Sequence, residues 1–510
     1  MSETVPTTTL LDALAEKTVL GTAPARVTGL AYDSRKVQAG ELFVAIPGFR
    51  QDGRRFAADA LGRGATIVVA EGEDPLPGSA AARVLVPSTR AALAQLADAY
   101  HQHPSQRLTV VGITGTNGKT TTSLLVEALF AAGGRPTGVI GTIEYRVGRQ
   151  IESASQTTPE ALELQALLAR MVRANVSGVA MEVSSHALAL HRVDGIEFDV
   201  AVFTNLTQDH LDFHGTIESY RDAKARLFSG LAAGRKPRRA AVVNVDDPAG
   251  AAMIQAASAD PRVRRITFGL SARAELHPRR WESGMSGIRL EVASARGVTE
   301  IVSPLVGEHN VMNLLGAVGV GLALDMEPRR IGEILSQVST VPGRFERVDA
   351  GQRFLVVVDY AHTPDALENV LTTARKLLPP GARLGVVFGC GGDRDRGKRP
   401  IMGGIAARVA DRAWVTSDNP RSENPEAILA EIETGITAEA AGRHESIADR
   451  RRAIRSAVAW AREGDVVVIA GKGHETYQII GGTTLPFDDR EVARAALAER
   501  GAPGGDAWRR

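Results

Sequence analysis

One cysteine, Cys390, stands in 510 residues. That excludes an internal disulfide and suits a reducing compartment. Net charge is nearly absent as well: 60 Lys and Arg against 59 Asp and Glu leave +1, so no basic field points to nucleic acid. No apolar run approaches the roughly 18 residues of a membrane span. The opening Met1-Ser2-Glu3-Thr4-Val5-Pro6 has neither the basic stretch nor the apolar core of an export leader. No repeat of short period is visible. These absences leave a chain of several globular domains, expected in the cytoplasm, with neither nucleic acid nor membrane span among its partners and a monomer as the default state.

What is present begins at Val110-Val111-Gly112-Ile113-Thr114, an apolar strand that runs into Gly115-Thr116-Asn117-Gly118-Lys119-Thr120-Thr121 and then into the helical pattern from Ser123 to Leu129. Triphosphates need this order: converging backbone N–H groups, a helix N-terminus aimed at the anion, and a lysine for the terminal phosphates. Thr120 falls where a magnesium-ligating hydroxyl is expected. Ile113 stands where the strict G-x-x-x-x-G-K-[ST] spacing wants its first glycine, so the loop is a variant. The chain is expected to bind a nucleoside triphosphate.

Six apolar runs share one habit: each is followed at once by polar residues. Gly178–Met181 precedes Glu182, Ser184, Ser185 and His186, and Val200–Phe203 precedes Thr204, Asn205, Asp209 and His210. Leu355–Val358 precedes Asp359, Leu384–Phe388 precedes Asp393 and Arg394, Trp414–Thr416 precedes Asp418-Asn419-Pro420-Arg421, and Val466–Ala470 precedes Gly471-Lys472-Gly473-His474-Glu475. Near-continuous apolar runs are the pattern of parallel strands covered on both faces, and open α/β sheets bind ligands beyond the carboxyl ends of such strands. A site between two facing sheets is the expectation. Blocks end near His103-Pro104-Ser105 and at Val341-Pro342-Gly343, and Gly501–Gly505 reads as a frayed tail.

Glu182, His210 and Thr120 together could hold magnesium against a triphosphate. Lys224 is the odd residue, because Tyr220, Lys224, Leu227 and Phe228 share one helical face and so place an ammonium in an apolar stripe. It either snorkels to water or reacts as the neutral amine with carbon dioxide, giving an anionic carbamate that a nearby magnesium could hold.

Taken together these residues resemble the Mur ligase family of ATP-dependent amino-acid-adding enzymes, over essentially the whole chain. The match is nearest to members that add diaminopimelate in peptidoglycan synthesis. The resemblance implies an α/β chain of three domains: a smaller α/β N-terminal domain (1–105) for the uridine nucleotide, a central ATPase domain with a P-loop-type parallel sheet (106–342), and a Rossmann-like C-terminal domain (343–510) for the amino acid. It implies ATP contacts at Gly115, Thr116, Asn117, Gly118, Lys119, Thr120, Thr121, Asn310, Arg344 and Asp359. Thr120, Glu182, His210 and Lys224 as its carbamate (N6-carboxylysine) become ligands of Mg2+, with Lys119, Glu182, His210 and Lys224 the catalytic set. Ser34, Thr157, Thr158, Ser185 and Arg192 are implied contacts of UDP-N-acetylmuramoyl-L-alanyl-D-glutamate, and Arg394, Asp418, Asn419, Pro420, Arg421, Gly471 and Glu475 of diaminopimelate. Arg421 makes physical sense there, because a guanidinium grips the second carboxylate of diaminopimelate and a lysine substrate offers it nothing. The implied mechanism is acyl activation through an acyl phosphate, with domain closure excluding water.

Other classes remain open at this point. A folylpolyglutamate-type ligase shares the ATP loop but not the Asp418–Arg421 and Ser34 segments. A plain P-loop kinase needs no second α/β domain, and a regulatory nucleotide-binding protein has no use for Glu182, Lys224 and His210 together.

Overall fold

The computed structural model describes residues 4–48, 51–437 and 442–501; the expected tail from Ala502 to Gly505 lies outside them. The chain divides into two compact units, residues 1–277 with 315–327, and 278–314 with 328–510.

In the first unit the N-terminal residues form a five-stranded sheet in the order Thr18–Leu20, Ala82–Val86, Ile67–Glu71, Leu42–Val44, Leu30–Ala31. Only Thr18–Leu20 pairs antiparallel there. Leu42, Ile67, Val84, Leu93 and Leu96 are buried in its core. The following sheet has eight strands: Gln150–Ser153, Glu144–Val147, Gly138–Ile140, Gly178–Glu182, Thr109–Thr114, Val200–Phe203, Arg239–Asn244 and Val263–Phe268. The last six run parallel, and the first two extend them as an antiparallel hairpin. Every residue of Gly178–Glu182 and of Val200–Phe203 is buried, as strands sandwiched between two helical layers must be. Residues 315–327 belong to this unit. Their helical Gly316 and Gly319 let the backbone lie close to Phe268 and Val242; a Cβ at Gly319 would stand 2.6 Å from Val242.

The second unit carries a three-stranded sheet, His277–Gly284, Gly287–Ser294 and Gly297–Ser303, whose strict apolar–polar alternation in the middle strand fits one covered face. Its six-stranded sheet has the order Glu346–Val348, Leu355–Asp359, Val466–Ala470, Leu384–Phe388, Arg412–Val415, His444–Ser446. All but Glu346–Val348 pair parallel. Val466–Ala470 and Leu384–Phe388 are buried throughout. Buried Trp414 meets Trp460 edge-on at 5.5 Å. The fold class is α/β, as the alternation implied.

Candidate active site

Three neighbouring strands end side by side in the first unit. Glu182 pairs with Ile113, and Phe203 with Thr114, so register alone brings the turns after them together. The central turn is the glycine-rich loop. Gly118 has φ +84° and caps the helix Lys119–Ala131, a conformation open to glycine at no steric cost. Gly115 is required for a different reason: a Cβ there would stand 1.9 Å from Thr204 Oγ1. The loop is clamped from the adjacent strand end. Asn205 O accepts from Thr116 N (2.9 Å), Asn205 Oδ1 from Asn117 N (2.9 Å), and Asn117 O from Thr204 Oγ1 (2.6 Å). Lys119 folds back over the loop and donates to Gly115 O (2.9 Å) and Thr116 O (2.7 Å).

Lys224 approaches the same carbonyl. It lies on the helix Ile217–Ala233 with Tyr220, Leu227 and Phe228, all buried, and is itself 1% exposed. The ammonium does not snorkel. Its Nζ donates to Gly115 O at 2.9 Å and sits 4.3 Å from the Tyr220 ring, and among the described residues no carboxylate forms an ion pair with it. Burial holds its basicity well below that of an ordinary lysine, helped by Lys119 and opposed by Asp209. His210, with φ +53°, precedes a short helical turn, its ring 6.2 Å from Tyr220 and 4.8 Å from His186. Burial lowers its pKa first of all, and Lys119 and Lys224 add to that against Asp209.

Glu182 is 1% exposed. Thr142 holds its carboxylate by backbone N to Oε1 (2.8 Å) and by Oγ1 to Oε2 (3.1 Å). Sequence reasoning missed Thr142, although it too follows a strand, Gly138–Ile140. Among the described residues no three His, Cys, Asp or Glu side chains group as a metal site; the expected set has only Glu182 and His210 of that kind.

The residues expected around the muramoyl dipeptide gather beyond the same strand ends. Thr157 Oγ1 is 3.1 Å from Thr142 Oγ1, Thr158 Oγ1 donates to Glu182 O (2.9 Å), and Ser185 Oγ is 3.0 Å from His214 Nε2. Arg192 donates to Gln156 Oε1 (2.6 Å) and Thr158 O (3.0 Å) and pairs with Glu160 (2.7 Å). Ser34 is buried in the turn Ser34–Lys36 of the N-terminal sheet. Nearby Tyr32 donates to Glu163 Oε1 (2.8 Å) on the helix Ala161–Arg173.

The second unit holds the other expected residues. Asp359 accepts from Phe345 N (2.7 Å) and Ala361 N (2.8 Å), and burial raises its pKa against the pull of Arg344. Arg344 lies over Tyr360 at 4.8 Å. Asn310 donates to Val306 O (2.8 Å). Beyond Arg412–Val415 and Val466–Ala470, Asp418, Asn419, Gly471 and Glu475 meet. Asn419 Nδ2 donates to Glu475 Oε2 (3.0 Å), and Gly471, at φ +119°, leaves a would-be Cβ 3.3 Å from Asp418 Oδ2. Arg421, at φ +52°, donates to Gly392 O (2.8 Å), and Pro420 O closes a turn with Glu423 N (3.1 Å). Arg394 is exposed on the loop that contains Gly392.

This geometry is a glycine-rich strand-to-helix turn beside a buried lysine in one unit and a charged cluster at strand ends in the other. Comparison with known proteins then settles the family. Residues 26–101 match the Mur ligase family catalytic domain, 113–321 the Mur ligase middle domain, and 343–473 the Mur ligase glutamate ligase domain. The chain is 49% identical over 475 residues to the UDP-N-acetylmuramoyl-L-alanyl-D-glutamate–2,6-diaminopimelate ligase of Solibacter usitatus, spanning 93% of this chain and 94% of that protein. The chain belongs to the Mur ligase family. To the ligase of the same name from Geobacillus kaustophilus this Mur ligase is 48% identical, over 93% of its own length and 96% of the relative's. A solved structure of a ligase with that name superimposes at TM-score 0.68 and 35% identity, covering 94% of this chain and 96% of that one. A folylpolyglutamate synthase of Mycobacterium tuberculosis reaches TM-score 0.59 at 21% identity over 80% of this chain and 95% of its own, a likeness of fold alone.

Proposed function

We propose that this Mur ligase joins diaminopimelate to UDP-N-acetylmuramoyl-L-alanyl-D-glutamate, converting ATP to ADP and phosphate through an acyl phosphate, in peptidoglycan precursor synthesis. The observation that carries this reading is the cluster of Asp418, Asn419 and Glu475 beside Arg421, in a chain similar over nine-tenths of its length to ligases of that name. Arg421 would take the second carboxylate of the amino acid and Glu475 its distal ammonium; Arg394, Pro420 and Gly471 shape the same pocket.

In the first unit the N–H groups of Gly115–Thr121 would cradle the phosphates; in the second unit Asn310, Arg344 and Asp359 are the proposed ATP contacts. Lys119 would exchange its loop carbonyls for the transferred phosphoryl, where charge neutralisation is the main catalytic work. Arg192, Ser185, Thr157 and Thr158 would hold the dipeptide, and Ser34 the uridine nucleotide. The D-glutamyl carboxylate attacks the γ-phosphorus and ADP leaves. The amine of diaminopimelate then attacks the acyl carbon, loses a proton and expels inorganic phosphate.

Thr120, Glu182, His210 and Lys224 would hold magnesium. The fit rests on Lys224: an ammonium cannot be a ligand, but a buried lysine that pairs with no carboxylate among the described residues is suited to lose its charge. The free amine adds to carbon dioxide, a C–N bond forms, one proton leaves, and the product is an anion. Bound magnesium supplies positive charge against the triphosphate oxygens. Thr142 keeps the Glu182 carboxylate in one orientation. The chain is read as a cytoplasmic monomer, and among its described residues no helix is long and apolar enough to cross a membrane.

Phosphate release should require both the nucleotide dipeptide and diaminopimelate. Release with either one alone, or with neither, would overturn the assignment.

A further inference from the structure

Lys472 lies between Gly471 and Glu475 and has so far been given no part. Its side chain is 0% exposed, which lysine tolerates only when paired. The Nζ donates to Asn419 Oδ1 (3.1 Å) and Glu475 Oε2 (3.0 Å), and stands 3.7 Å from Asp418 Oδ1. That Asp418 oxygen is buried and accepts no hydrogen bond, so Lys472 is its compensating charge. One cation thus touches three residues of the amino-acid pocket. It also fixes an orientation: Asn419 Oδ1 accepts from both Lys472 and Ile479 N (3.0 Å), which turns Nδ2 toward Glu475.

We infer that Lys472 is a positioning residue that sets the charge of the amino-acid pocket and, through it, the preference for a substrate with a second carboxylate. The inference rests on the diaminopimelate reading above. The charged side chains here are Arg394, Arg421 and Lys472 with Asp418 and Glu475, and Asp393 acts on Arg421 from the neighbouring loop; Lys472 is the cation buried between Asp418 and Glu475. Buried Arg450 beneath them is matched by Asp489 in two bonds of 2.8 and 2.7 Å and changes nothing. Diaminopimelate with its attacking amine unprotonated has two carboxylates and one ammonium, one negative charge in excess. Lysine in the same state is neutral. Without Lys472 the pocket is more negative by one charge, which opposes the second carboxylate of diaminopimelate more than it opposes neutral lysine. Specificity here is a difference of two affinities, and a mismatched buried charge is what separates them.

The test is the ratio of kcat/KM for lysine to kcat/KM for diaminopimelate. Lys472→Met is expected to raise that ratio about tenfold or more and to raise KM for diaminopimelate by a similar factor, while KM for ATP stays within about twofold. Lys472→Arg keeps the charge, and the ratio should stay near the wild-type value. If the Met variant does not accumulate folded, Asp418→Asn decides: the pocket gains positive charge and the ratio falls. An unchanged ratio in a folded Met variant, or a rising one in Asp418→Asn, overturns the inference. A wild-type enzyme that does not use diaminopimelate overturns the functional reading instead.

Discussion

Two buried lysines show how surroundings decide what the same side chain does. Lys472 faces two carboxylates; Lys224 faces a carbonyl and an aromatic ring, and its charge is the costly form. Lys224→Ala should be nearly inactive, bicarbonate alone should not restore it, and a short carboxylic acid in solution should restore part of the turnover. Density for a bare amine at Lys224 in a fully active magnesium–nucleotide complex would refute the carbamate. Arg421 makes a second residue-scale test. Its left-handed backbone costs a non-glycine residue about 1–2 kcal/mol. Arg421→Ala and Arg421→Gly should both raise KM for diaminopimelate steeply, since losing one partner of a desolvated pair costs on the order of 2–5 kcal/mol. KM for ATP should be spared. The glycine variant should be the more stable of the two by about 1 kcal/mol in denaturant titration; equal stabilities would mean the backbone at 421 is not strained.

Among elements, the phosphate loop depends on its neighbour. Thr204 and Asn205 hold Thr116 and Asn117 through four hydrogen bonds, so Gly115→Ala, which drives a methyl into Thr204, should lower kcat/KM for ATP on the order of 100-fold. The double variant Gly115→Ala/Thr204→Ala should recover part of it, and no recovery would show that the clash is elsewhere. Lys119→Ala should abolish product formation with the fold intact by circular dichroism; turnover within a few-fold of wild type would refute the role of the loop lysine. The strands that end at these residues were legible in the sequence, because six apolar runs followed by polar turns are a direct image of parallel strands covered on both faces. The clamp was not. Thr204 and Asn205 are uncharged, and their partners are main-chain atoms 87 or more residues away in sequence, which no local pattern encodes. Thr142 escaped for the same reason. Lys472 was visible inside its motif, but only the structure shows that it points inward to Asp418, Asn419 and Glu475 rather than to water.

For the whole molecule, the division into two units with separate cores predicts that unfolding is not a single transition. Urea curves followed by far-ultraviolet circular dichroism, which sees both units, and by tryptophan emission should not superimpose. Coincident curves would mean the units unfold together. The reason the two probes differ is where the indoles lie. None of the four tryptophans, Trp281, Trp414, Trp460 and Trp508, falls within residues 1–277 or 315–327. The unit that carries the phosphate loop is therefore optically dark at tryptophan wavelengths. A single tryptophan placed there, at solvent-facing Ile151 (61% exposed) for example, would give the first unit a reporter of its own. The existing indoles would remain a built-in gauge of the second unit.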